Sequence, residues 1–346
     1  MASPQATKTS FYPEAGIGIE NTTNAGVAIK VDSDGAWRPQ TSVKEAMEQY
    51  AGAEAPLAGS VVTVTNYWEG KYRKGLRTHG DEAWWRGCVG TSGGVTPVVP
   101  AGNPPLFDKV WRTHRRGPDL SRTVVQDRSI YGNVPTGIYQ QVFRGVKVKG
   151  WDVLVTVGQP VLVGQTLVAQ QARTHGGAQP DGADYPVSPS GTTVPRVYGW
   201  QNTSLRVGPP GTVGVNIGFL TSFRYQQDNK LDLKRTYTSG TVNLADPESK
   251  EPNFGSVNLQ FDYAAVVDTW LIDRFGSSTD LSLELTCQRG DYRWRLWIPN
   301  VHLSIAVPNT TLGRDTTVTA AGMLRWDSSS GEPAVTVTAR TEGNTQ

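Results

Sequence analysis

From Leu281 onward the apolar side chains fall on every second position. Leu281, Leu283, Leu285 and Cys287 alternate with Ser282, Glu284 and Thr286. Past Arg289 and Gly290 the alternation resumes as Tyr292, Trp294, Leu296 and Ile298, with Arg293 and Arg295 between. A period of two marks a strand with one buried face, and two such runs across a glycine turn predict a hairpin. Pairing Cys287 with Tyr292 sets Leu285 against Trp294 and Leu283 against Leu296. The two apolar faces then coincide, and Leu283, Leu285, Cys287, Tyr292, Trp294 and Leu296 form the expected hairpin core.

The same period recurs along the chain. Val213, Val215, Ile217 and Phe219, then Phe223 and Tyr225, predict one strand; Val257, Leu259, Phe261 and Tyr263 predict another. Further strands are expected at Val301 to Val307, and over 318–326 and 335–339. Earlier in the chain they are expected at Val27 to Val31 and over 61–68, 122–126, 141–149, 151–157 and 161–169. Three short stretches have helical character: 44–50, a turn over 81–88 closed by Gly90, and 264–271 capped by Asp262. The fold class is therefore mainly β.

Two stretches break the pattern. Residues 174–195 are dense in Gly, Pro, Ser and Asp, which predicts a linker at 181–195 between domains at 1–180 and 196–346. Residues 226–253 are polar, and a loop of that length is more often functional than idle. There is also an internal echo. Phe143-Arg144-Gly145-Val146-Lys147-Val148, continuing to Leu167-Val168-Ala169, parallels Trp297-Ile298-Pro299-Asn300-Val301-His302-Leu303, continuing to Val318-Thr319-Ala320. Such an echo fits tandem copies of one fold.

Composition narrows the function. The 38 Gly and 22 Pro suit short strands and many turns. Lys plus Arg number 33 against 31 Asp plus Glu, which argues against a concentrated basic face for sequence-specific DNA binding. Cys88 and Cys287 are too few for a disulfide framework and read as core thiols. The first residues have no apolar signal region and no run is long enough to span a membrane, so folding in a cytoplasm is expected, with no membrane partner.

Candidate chemistry is sparse. His79, His114, His175 and His302 are scattered without ligand spacing, and there is no phosphate loop or nucleophile elbow. No metal, cofactor or catalytic residue is expected, and the chain reads as a non-enzyme. Arg289-Gly290-Asp291 reads as a turn, and Asn21, Asn202 and Asn309, each in an Asn-x-Thr/Ser triplet, read as turn residues. Lys71-Tyr72-Arg73-Lys74 and His114-Arg115-Arg116 read as solvated or interface-facing charge. Of the 11 Trp, Trp294 lies on the hairpin's apolar register; Trp84, Trp85 and Trp297 suit a core or a subunit interface.

These features resemble the major tail tube protein of long-tailed, siphovirus-type bacteriophages, in the version with two tube domains in tandem. Gly18-Ile19-Glu20-Asn21-Thr22-Thr23-Asn24-Ala25-Gly26-Val27-Ala28 is similar to the opening of such subunits. Leu283 to Val307 resembles their closing hairpin, in which an aromatic strand reaches a proline, here Pro299, and turns into the next strand. Val257 to Asp273, a strand passing into a short helix, is similar as well. Few Cys and Met would suit a phage of a thermophilic host.

The resemblance implies two tandem tail-tube-type β-sandwich or half-barrel domains with short flanking helices. It implies rings of three chains, stacked as a filament and lined by a β-barrel that conducts DNA from capsid to host. Closure would pair every exposed strand edge. The implied partners are further copies, tape measure and terminator proteins, and double-stranded DNA passing without specific binding; the implied location is the virion tail, assembled in the host cytoplasm. The polar segment, with Asp228, Lys230, Asp232, Lys234, Arg235, Glu248 and Lys250, becomes the candidate inter-ring arm. A lumen that releases DNA is expected to be neutral or acidic. The alternatives are a carbohydrate-binding or adhesion sandwich, which needs an exposed row of tryptophans, and a capsid-type virion component.

Overall fold

A computed structural model describes residues 8–14, 27–29, 33–34, 37–45, 61–90, 92–99, 105–113, 121–129, 138–175, 194–217, 220–233, 247, 254–262, 280–305, 317–325 and 335–342. In chain order the first half holds β1 (Lys8–Pro13), β2 (Val27–Ile29), β3 (Ser33–Asp34), β4 (Arg38–Glu45), β5 (Val61–Gly75), α1 (Glu82–Val89), β6 (Ser92–Val99), β7 (Leu106–Arg112), β8 (Arg122–Ser129), β9 (Ile138–Thr156), β10 (Leu162–Ala169) and β11 (Gln171–His175). The second half holds β12 (Thr203–Gly208), β13 (Val215–Asn216), β14 (Leu220–Asp228), β15 (Phe254–Asp262), β16 (Asp280–Arg289), β17 (Tyr292–Ile305), β18 (Thr317–Leu324) and β19 (Thr336–Glu342). The chain is mainly β.

One pairing scheme occurs twice. The first part of β9 lies between β8 and β11, and its second part pairs with β10. In the same way β17 pairs with β16 and β19 along its first part and with β18 along its second. The outer strands follow suit: β5 joins β10 as β15 joins β18, β4 joins β5 as β14 joins β15, and β1 joins β8 as β12 joins β16. The two schemes are then sewn together. β14 pairs with the second part of β9, Gln226 opposite Asp152, and β19 pairs with β7, Val337 opposite Trp111. One ladder therefore runs β4-β5-β10-β9-β14-β15-β18-β17.

Two bent strands make this possible. Residues 141–149 and 151–157 were expected as separate strands, yet β9 runs unbroken through both. It bends at Gly145, whose φ of 60° is open to glycine and strained for other residues. The expected turn at Pro299 is likewise a bulge inside one strand. Ile298 faces Leu283 and Val301 faces Leu281, so Pro299 and Asn300 together oppose Ser282. A bulge bends its strand and spares the hydrogen bond that proline cannot donate.

Three other expectations change. The hairpin turn is the two-residue Gly290-Asp291, with Gly290 at φ 61°, so Arg289 faces Tyr292, Cys287 faces Trp294 and Leu285 faces Leu296. That register is two residues from the expected one and keeps every side chain on its face. Residues 44 and 45, expected to open a helix, end β4 instead, paired with Val62 and Val61. Val213 and Val215 are 46% and 57% exposed, so their alternation marks no buried face. The turn over 81–88 is α1, ending at Gly90; residues 264–271 lie outside the described residues.

The core sits beneath the long ladder and under α1. Trp84, Trp85, Trp151 and Trp294 are buried there with Phe223, Tyr225 and Leu285. Trp85 of α1 packs on Trp151 of β9 at 5.8 Å between ring centres and on Trp294 of β17 at 5.2 Å, joining the two halves of the chain.

Candidate assembly surfaces

The long ladder has one face in the core and one toward solvent. Val153, Val155, Phe223, Tyr225, Val257, Leu259, Ala320 and Leu303 point inward. Between them, Arg73, Asp152, Gln226, Ser256 and Met323 form one cross-strand row of the outer face, with Leu154, Arg224, Asn258, Ala321 and Ser304 in the next. This face is polar. Its described charges are Arg38, Lys71, Arg73, Lys149 and Arg224, with Lys147 buried beside Pro247 and Arg325 at its margin, against Glu69, Asp152, Asp228 and Asp280. Several are paired: Arg73 with Asp152 at 3.2 Å, Lys149 with Glu69 at 3.5 Å, and Arg325 with Asp280 at 3.6 Å.

Each end of the ladder exposes backbone. β4 pairs with β5 on one edge, and among the described residues nothing pairs with its other edge. Among the described residues β16 covers β17 only as far as His302, opposite Asp280, and Ser304 and Ile305 pair with β18 on one side alone. Unpaired N–H and C=O groups on a sheet edge invite another strand.

Buried charges brace the sheet from beneath. Lys74 pairs with Asp81, whose other oxygen accepts from the Arg77 backbone N–H at 3.1 Å. Burial pushes the Lys74 ammonium down from its ordinary value and the Asp81 charge pulls it back up. Lys109 reaches Glu82 at 3.1 Å, and Thr341 of β19 donates to the same carboxylate at 2.7 Å. Arg122 lies over the Phe11 ring and donates to Gln165 at 3.0 Å. Its buried guanidinium is pushed down to about 10, desolvation being the main cause. Lys74, expected as solvated or interface-facing charge, is buried instead, because it stands at an inward position of β5 beside Asp81, and Lys109, between Asp108 and Val110, carried no signal in the sequence. Lys71 and Arg73, on the alternate positions, are exposed as expected.

The nucleophilic side chains are held in their neutral forms. Desolvation pushes the Cys88 thiol up to about 12 and raises Cys287, Tyr198 and Tyr225 as well. A thiol kept protonated is a poor nucleophile. Among the described residues no three His, Cys, Asp or Glu side chains gather in a metal-holding group, and no helix is long and apolar enough to cross a membrane.

The residues singled out from sequence fall as follows. Leu283, Leu285, Cys287, Trp294 and Leu296 are buried, and Tyr292 is half-buried and donates to Glu342. Asp228, the last residue of β14, and Lys230 just past it form an ion pair at 3.3 Å, where the Lys230 N–H also donates to Asp228 at 2.9 Å, and Asp232 is half-buried. Lys234, Arg235, Glu248 and Lys250 lie outside the described residues. From the rest of that segment, Pro247 is buried and accepts a bond from Lys147 of β9 at 3.4 Å. Pro247 thus lies beside β9. Arg289-Gly290-Asp291 occupies the hairpin turn. Trp84 and Trp85 are buried, and the described tryptophans form no exposed row.

A family model described as phage tail tube protein matches residues 11–339. No curated protein matches the chain.

Proposed function

The chain belongs to the phage tail tube protein family, and from that footing we propose that it closes into rings of three whose inner wall is the long ladder. Membership makes it a structural subunit of the tail tube, located in the virion tail and assembling with other tail proteins.

The observation behind the ring is the pairing scheme that occurs twice and ends on two open edges. Residues 1–180 and 196–346 act as tandem tube domains, joined across 181–195, each contributing four strands to the wall. The inner junction, β9 against β14, is then a ready example of how one tube domain meets the next. Three copies of an eight-stranded ladder give a wall of twenty-four strands (3 × 8). At ~4.8 Å between strands and a tilt of about 40°, that wall measures roughly 50 Å between opposite backbones. Side chains reduce this and still leave a bore wide enough for duplex DNA.

The outer face of the ladder lines this bore. It departs from the neutral or acidic lining expected from sequence, since its described bases outnumber its acids. Ion pairing moderates the consequence, because a cation already held by a carboxylate gains less from a phosphate. Rings stack head to tail, a contact that propagates as a filament. The segment after β14, with Lys230 and Asp232 following Asp228 at the end of the strand, is the proposed inter-ring arm. Tape measure protein occupies the bore during assembly, a terminator protein ends the stack, and DNA passes afterwards without specific binding. The chain performs no catalysis.

Negative-stain microscopy of the purified protein, concentrated and warmed, tests the reading. Hollow filaments of uniform width are expected. Isolated particles at every concentration and temperature would overturn it.

A further inference from the structure

The twofold pairing scheme fixes which residues meet between neighbouring copies. Resting on the proposed ring, we propose that β4 of one copy adds to the free edge of β17 of the next, with Gln40 directly opposite Ser304, and that this contact covers Met323.

The register follows from the internal junction. Val146 and Val301 each stand just past the bend of their strand, opposite Arg122 and Leu281, the first residues to pair across the bulge. From there Val148 opposite Leu167 corresponds to Leu303 opposite Gly322, and Gly150 opposite Thr166 corresponds to Ser304 opposite Ala321. On the other flank, Glu69 opposite Val168 corresponds to Ser256 opposite Met323. Gln40 opposite Tyr67 therefore corresponds to Asp228 opposite Phe254. Within the chain, Asp228 faces Gly150. The equivalent of that pair between copies is Gln40 facing Ser304.

Two further features agree. Beside the Asp228–Gly150 pair, the Asn229 N–H donates to the Lys149 carbonyl at 2.8 Å, so odd-numbered residues of this stretch turn their N–H toward the neighbouring strand. Pro39 corresponds to Gln227, one of these outward residues. Its missing donor would break the ladder if turned toward β5; turned outward it costs nothing in the free chain, blunts promiscuous pairing and leaves the β4–β17 contact one hydrogen bond short. The second feature is Met323, which is 65% exposed on the outer face. Its counterpart Val168 is fully buried, next to Lys147, whose ammonium is capped by the Pro247 carbonyl from the segment after β14. Pro247 therefore lies over Lys147, the cross-strand neighbour of Val168, so cover on this side of the sheet comes with the strand docked on β9. A second copy docking β4 on β17 would bury Met323 in the same way.

The Gln40–Ser304 pair adjoins a hydrogen-bonded pair, so it is of the close, non-hydrogen-bonded kind in which opposed cysteines can be bridged. The test is Gln40→Cys with Ser304→Cys in the full chain, oxidised mildly after tube formation, with both single variants and a shifted pair, Arg38→Cys with Ser304→Cys, alongside. Cys88 and Cys287 are buried and unpaired, so they do not compete in the folded chain. The expected result is covalent dimers and trimers for the Gln40/Ser304 pair only, with Met323 several-fold slower to oxidise by peroxide in tubes than in the unassembled subunit. Tubes that bridge through the shifted pair instead, or that leave Met323 as reactive as before, would overturn this register while leaving the ring reading intact. Failure of every variant and the parent chain to form tubes would overturn both.

Discussion

Trp85 is a side chain that ties the two halves of the chain together. It is 1% exposed and packs on Trp151 from the first half and Trp294 from the second. Truncation to alanine empties a large site walled by a helix and two ladders, so little collapse is available. The expected loss is about 3–5 kcal/mol. Unfolding entropy of ~2.1 cal/mol/K per residue over 346 residues gives about 0.7 kcal/mol/K. The melting temperature should therefore fall by about 4–7 °C if the whole chain unfolds together. If only one half unfolded with Trp85, the entropy would halve and the shift would double, to roughly 8–14 °C, with a second transition left in place. Scanning calorimetry of Trp85→Ala separates the two cases, and a cycle with Trp294→Leu should return about 0.5–1.5 kcal/mol of coupling. Two transitions, one of them unmoved, would refute the claim that the β9–β14 and β19–β7 ladders and this cluster make one cooperative unit. So would a total loss below about 1 kcal/mol.

Two other perturbations have calculable outcomes. Lys109→Met strands Glu82, which keeps Thr341 as its one side-chain partner among the described residues, and should cost about 3–5 kcal/mol in urea unfolding at neutral pH; adding Glu82→Gln should recover much of this, and a double variant as unstable as the single would contradict the pairing. The cysteines make stability fall in alkali. Cys88 has its thiol raised from 9.0 to about 12, so between those values the unfolded chain releases a proton that the native chain keeps. Stability from this source is complete below pH 9 and declines above it; Cys88→Ala should flatten the slope of the urea midpoint between pH 9 and 11, and an unchanged slope would count against it.

Much of the fold is legible in the alternation of apolar residues, and what is not has identifiable physical reasons. Periodicity assigns the hairpin's faces correctly, because a slip of two residues conserves them, but it cannot choose between registers that differ by two. The choice is made by Gly290, whose left-handed backbone closes the strands in a two-residue turn. Glycine and proline misled at Gly150 and Pro299, which lie inside continuing strands. Lys44 and Glu45, helix-favouring residues, are extended because β5 lies alongside to pair with them; tertiary pairing overrode local preference. The exposed alternation at Val213 and Val215 shows that period two indicates a strand and not its burial. For assembly, the sequence singled out charges after β14, whereas the open edges of β4 and β17 carry ordinary residues such as Gln40 and Ser304. A free edge is a property of pairing, so no residue type announces it. The internal echo near Phe143 and Trp297 was the one signal that led there.

The central claim is that tube domains join edge to edge, between copies as within one. Cryo-electron microscopy of the assembled filament tests it most directly. The expected cross-section has threefold symmetry, near-sixfold in its inner wall, with β4 laid antiparallel along the end of β17 of the adjoining chain. A filament in which those two edges stay apart, or in which copies touch only through loops, would contradict it.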